Sequence, residues 1–206
     1  MKRTFLGCAF LVCVAMPAFA AAQKPFDFRG LRLGISLDAF RHEEPARATP
    51  PGSVAVCDTD LEAASLGMVL RDAHSLSIAC KWAHRTQNGW SESLAVVDGA
   101  PARDHVLRFM AMPGDASPRL YRMSFVIDAR VADDFAQALS SKFGTSRVER
   151  ANGYQTRTWE NAASSITLEA NGAAASARVI YRLKAYEAWL RDTTDRWRLA
   201  AVHDAP

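Results

Sequence analysis

LYRMSFVIDARVADDFAQALSSKFG, residues 120–144, changes its hydrophobic period part-way along. Residues 120–127 read as a strand, and residues 106–112 as its neighbour, joined by the loop PGDASP at 113–118. From Asp128 onward the period becomes helical. Val131, Phe135, Ala138, Leu139 and Phe143 recur at three- and four-residue spacing. Asp128 is placed to cap this helix, with Asp133 and Asp134 early, Lys142 late and Gly144 at the C-terminal cap.

The same reading extends toward both ends. Downstream, short extended stretches are expected at 147–150, 155–160 and 165–169, punctuated by Asn152-Gly153 and Asn171-Gly172. Residues 177–183 suit a further strand, and 185–199 a helix with Tyr186, Trp189, Leu190 and Trp197 on one side. Upstream, residues 24–34 suggest a first strand through Phe26, Phe28, Leu31 and Leu33. Ser36 then reads as a helix N-cap, with Ile35 and Phe40 spaced as a hydrophobic staple and Pro45 beyond the helix end. Residues 54–57 suggest a short strand. Residues 60–72 suggest a helix interrupted by Gly67. Leu76, Ile78, Cys80 and Trp82 alternate with Ser75, Ser77, Ala79 and Lys81, the pattern of a half-buried strand. Asn88-Gly89 marks a hairpin before a strand at 94–97. Short connections imply antiparallel neighbours, so the expected class is α+β: a mostly antiparallel sheet with a few packed helices. The pattern allows two similar α+β halves, 24–112 and 119–200.

The chain has 206 residues, 49% hydrophobic and 23% charged, which excludes a disordered or collagen-like polymer. Its net charge is +3, but Lys2 and Arg3 lie among the first twenty residues, which hold no acid. Without them the excess is +1, so nucleic acid is not expected as a partner. Those residues, MKRTFLGCAFLVCVAMPAFA, read as a secretory signal peptide over 1–20. A positive start precedes an apolar run at 5–16, Pro17 breaks it, and Ala18-Phe19-Ala20 supplies a cleavage site, with Ala22 a second option. The alternative is an uncleaved anchor, yet twelve residues span only about 18 Å of helix against about 30 Å of hydrocarbon. The mature region, 21–206, is expected to be periplasmic or secreted, with no membrane span. Cleavage would leave Cys57 and Cys80, a pair expected to form one disulfide in an oxidising compartment. The alternative is two separate buried thiols.

Phe28-Arg29-Gly30-Leu31-Arg32-Leu33-Gly34-Ile35-Ser36, followed by Phe40 and Cys57-Asp58, resembles the opening of small uncharacterised periplasmic proteins of Gram-negative bacteria. Lys142-Phe143-Gly144, Trp159-Glu160-Asn161 and Ile166-Thr167-Leu168 are similar to their second half. Those proteins often place Pro after the glycine, where Thr145 stands here. The Leu-Gly-Ile-Ser segment also resembles the BamE and β-lactamase-inhibitor-like families, which implies a small α+β unit that binds other proteins. Neither resemblance brings a catalytic residue.

Chemical motifs are few. Gly34–Ser36, Gly89–Ser91 and Gly144–Ser146 each lack the second glycine of a nucleophile elbow. His42, His74, His84, His105 and His203 lack metal-site spacing. In Asp58-x-Asp60-x-Glu62, Ala63 and Val69 stand where an EF-hand needs Gly and Glu. Phosphate-loop patterns are absent, so no cofactor is expected. Trp82 and Trp159 fall in strand patterns and read as core. Trp189, Arg196 and Trp197 combine residue types enriched in interface hot spots, so the last helix is a candidate protein contact. The alternative is a helix docked on the sheet. The functional expectation is an exported, non-catalytic protein-binding or envelope-associated module, whose partner is another envelope or secreted protein. The alternative is a small periplasmic hydrolase with acid/base groups gathered from distant residues.

Overall fold

Residues 147–183 form four strands, and each after the first turns back beside the one before it. In the computed structural model, which describes residues 23–97 and 99–203, this meander is one side of a large antiparallel sheet. The signal-peptide segment 1–20 lies outside the described residues. The elements are β1 (Asp27–Phe28), β2 (Leu31–Arg32), α1 (Leu37–His42), β3 (Ala48–Thr49), β4 (Val54–Cys57), β5 (Ile78–Thr86), β6 (Gly89–Glu92), β7 (Leu94–Val97), β8 (Ala100–Pro101), β9 (Asp104–Met110) and β10 (Arg119–Asp128). They continue with α2 (Ala132–Phe143), β11 (Arg147–Ala151), β12 (Tyr154–Glu160), β13 (Ser164–Asn171), β14 (Ser176–Leu183) and α3 (Lys184–His203). The main sheet runs β11-β12-β13-β14-β10-β9-β5-β4, with β6 also paired to β5. It passes without a break from the first stretch of chain into the second, through the β9–β10 pairing.

The α+β expectation is corrected by these proportions: strand accounts for 42% and helix for 25%, so the protein is mostly β. Segment 60–72 is one cause. It forms only a short 3-10 helix, Leu61–Leu66, which ends where Gly67 adopts a left-handed backbone (φ 68°). The helices that do form are also too few to layer both faces of the sheet. Residues 24–34 likewise do not make one strand. Arg29 and Gly30 both take positive φ (50° and 85°), folding the segment into the two-residue strands β1 and β2.

Local signals elsewhere have the expected structural effect. Ser36 accepts a hydrogen bond from the Ala39 amide at 3.2 Å and starts α1, which buries Phe40. Asp128 accepts from the Arg130 amide and caps the 3-10 turn Ala129–Val131, which leads into α2. Phe135, Ala136 and Leu139 bury the inner face of α2, and the Gly144 amide closes its end on the Ser140 carbonyl. Cys57 and Cys80 face each other across β4 and β5 and are joined by a disulfide buried in the core.

One face of the sheet carries the core. Trp82, Leu107, Phe109, Met123, Phe125, Ile166, Leu168, Val179 and Tyr181 pack there against Phe28, Phe40 and the inner face of α2. Alternate residues of the same strands point to the opposite, more open face, which is covered where Val56 and Ala83 pack with Ala63 of the 3-10 helix and where Glu187 of α3 stands beside Arg122.

Candidate functional site

α3 follows β14 without a loop and carries the residues singled out as a protein contact. Its first half is docked. Tyr186 is buried and donates its hydroxyl to Asp115 Oδ2 at 2.7 Å, while Trp189 and Leu190 pack partly buried against the core. Burial pushes the Tyr186 phenol up, and bonding to the Asp115 carboxylate adds to the effect, to about 12. Thr193 is buried, and residues 194–200 are all exposed. Arg196 folds back on its own helix, donating to Thr193 Oγ1 and the Asp192 carbonyl. Trp197 is 53% exposed and forms one wall of an open cleft of about 460 Å³. Arg71, His74 and Leu76 stand on another wall, with Phe109 and Met110 among the lining residues. Val69 and Leu70, just before Arg71 in the chain, are also exposed. Trp189 and Trp197 therefore part company: the first is held by the core, the second stands beyond it.

The open face holds a second arrangement. Arg122 on β10 is in register with Arg108 on β9 and with Arg182 on β14. Three guanidinium-bearing residues thus lie side by side across three interior strands. Like charges directly opposite one another destabilise a sheet. Arg182 donates to Thr167 Oγ1 at 2.7 Å. Burial pushes its guanidinium down from the ordinary arginine value, and the Arg122 charge acts in the same direction. Arg122 lies 3.7 Å from Glu187 Oε1, too far for a hydrogen bond, and that buried oxygen has no other partner among the described residues. Arg108 makes no hydrogen bond or ion pair among the described residues.

A polar network lies toward the β5 end. Lys81 Nζ contacts Glu92 Oε2 and Asp104 Oδ1, each at 2.7 Å. The fully buried His105 accepts the Trp82 amide at Nε2 (2.8 Å), which places the neutral ring's proton on Nδ1, 3.3 Å from Glu92 Oε1. That second contact is electrostatic and poorly aligned. Burial pushes the Glu92 carboxyl up, but interactions with His105 and Lys81 outweigh it and hold the group at about 2. The imidazole takes the place of a strand partner: β9 pairs with β5 only at 78–80 and β6 only at 83–86, leaving the Trp82 amide between them. Nearby, the buried Ser93 hydroxyl meets His84 Nδ1 at 3.0 Å and Ser53 Oγ at 2.7 Å. Its full burial keeps it from meeting a substrate in this arrangement.

No family model, curated protein or solved structure matches the chain. The residues that come together here, Arg108, Arg122 and Arg182 and the Lys81–Glu92–His105 set, were not singled out from sequence. Their spacing carries no motif. The available signal was charge alternating with apolar residues on interior strands, and it needs the strand register to become a cluster.

Proposed function

We propose that the protein is an exported, non-catalytic binding module that grips a protein partner with the free end of α3. The observation that carries this reading is the half-exposed Trp197 beside an open, partly apolar cleft. Large aromatic side chains with one face free are the residue type on which interface energy concentrates. The cleft's arginine and histidine rim suits a partner with acidic groups around an apolar centre. Export is supported by the tripartite leader of the sequence, and by a disulfide of the kind that persists in oxidising compartments. No helix among the described residues is long and apolar enough to cross a membrane. The partner is another envelope or secreted protein.

Capture from envelope extract, followed by identification and titration of the retained protein, tests the reading. Trp197→Ala is expected to weaken that partner about thirtyfold, equivalent to about 2 kcal/mol. Its folding stability should fall by only about 1 kcal/mol, because much of the ring is already in water. Undiminished capture by a folded Trp197→Ala protein removes α3 from the contact. Hydrolytic turnover abolished by one Asp, Glu or His substitution would defeat the non-catalytic reading.

A further inference from the structure

The row of Arg108, Arg122 and Arg182 has no role in the α3 contact, and it is costly to the sheet that holds it. Arg122 faces an arginine on each side, and the carboxylate beside it, Glu187, lies outside hydrogen-bonding range. Neighbouring strands lie about 4.8 Å apart, so the row spans about 10 Å of backbone. Both strand neighbours of β10 are fixed by long pairings, which hold the three positions at constant spacing. The side chains remain reachable: Arg122 is 31% exposed, and Arg108 and Arg182 are half-buried. Next in register beyond Arg182 is Ser165, a hydroxyl donor on the same face.

We infer that this row is a binding site for a phosphoryl-bearing anion of two or more negative charges. Arginine's planar fork matches phosphoryl oxygens with paired hydrogen bonds, and a multiply charged ligand can bridge neighbouring forks. Such a ligand would add to the counter-charge that Glu187, Glu169 and Asp58 supply only through space, without a hydrogen bond to any of the three arginines. Arg122 is the central contact, Arg108 and Arg182 flank it, and Ser165 adds a neutral donor. The row runs across the strands on an open face, so it suits a compact anionic group, either a soluble phosphoester or a phospholipid head group. This site is independent of the protein contact at the end of α3.

Calorimetric titration of the full chain with inorganic pyrophosphate at low salt reads the site directly. Saturable binding is expected, weakened roughly tenfold in Arg122→Gln and likewise in Arg108→Gln, with melting temperatures no lower than the parent's because each substitution relieves like-charge repulsion. Arg178→Gln, on the same face but outside the row, should bind as the parent does. Co-sedimentation with vesicles of phosphatidic acid in phosphatidylcholine separates the two sources. Retention lost in Arg122→Gln assigns a head group, whereas pyrophosphate binding without retention assigns a soluble phosphoester. The inference fails if neither probe binds at up to about 10 mM. It fails equally if Arg178→Gln loses as much affinity as Arg122→Gln, because the attraction would then be diffuse.

Discussion

Along β10, Met123, Phe125 and Ile127 point to one side and Arg122, Ser124 and Val126 to the other. On the first side, aromatic rings meet across elements distant in sequence. Phe28 lies 4.4 Å from Phe125 between centroids, Tyr181 stands edge-on to Phe125, and Phe40 lies 5.0 Å from Phe109. On the second side charged and apolar residues mix: along β14 Arg178 and Arg182 flank Ile180, which is buried but lies outside the main core cluster and faces Ser124 and Thr167 across the strands. One strand thus serves two solvents. The covered face holds the molecule together, while the open face carries groups whose energies depend on salt, pH and whatever binds there. Stability and binding are accordingly separable by substitution.

Phe125→Ala tests the covered face most severely. The ring is fully buried, so the expected loss is about 3–5 kcal/mol by chemical denaturation. A loss below about 1 kcal/mol would mean that this face is not the core. Removing the disulfide with Cys57→Ala and Cys80→Ala together comes next. The bond links residues 23 apart, and its absence should cost about 3 kcal/mol, read as a lowered denaturation midpoint. The smallest effect belongs to the open face. Glu92→Gln should destabilise by about 1–2 kcal/mol at neutral pH by weakening its bonding to Lys81. Because the Glu92 carboxyl is held at about 2, its contribution is present above the usual carboxylate value of 4.5 and is lost as pH falls toward 2. Melting curves of parent and variant should therefore converge across that window. A gap that persists at pH 2 would show that the residue acts through packing.

Much of the covered face is legible in the sequence. Phe135 and Leu139 mark the buried side of α2, Cys80 and Trp82 share one side of β5, and Asn152-Gly153 makes the turn between β11 and β12. Each depends on spacing within a few residues. Segment 60–72 misleads because its apolar spacing resembles a helix, while Gly67 ends the element after only six residues as a 3-10 turn. The candidate sites are half legible. Trp197 stands out by residue type, but its neighbour Trp189 is assigned to the core only by packing. The arginine row is illegible, since Arg108, Arg122 and Arg182 become neighbours through register alone.

What the sequence determined by itself is local: the alternation of its strands, the start of α1 at Ser36, the close of α2 at Gly144, and the pairing available to Cys57 and Cys80. These follow from backbone conformational preference and from side-chain period, which act over a few bonds or one turn. Only the tertiary structure decided that the sheet is continuous and the protein mostly β, that His105 serves the Trp82 amide, and that three arginines align on an open face. Those outcomes depend on which strand lies beside which and in what register. Register is chosen by burying one face as a whole, so the charges on the other face are brought together by a core they do not touch.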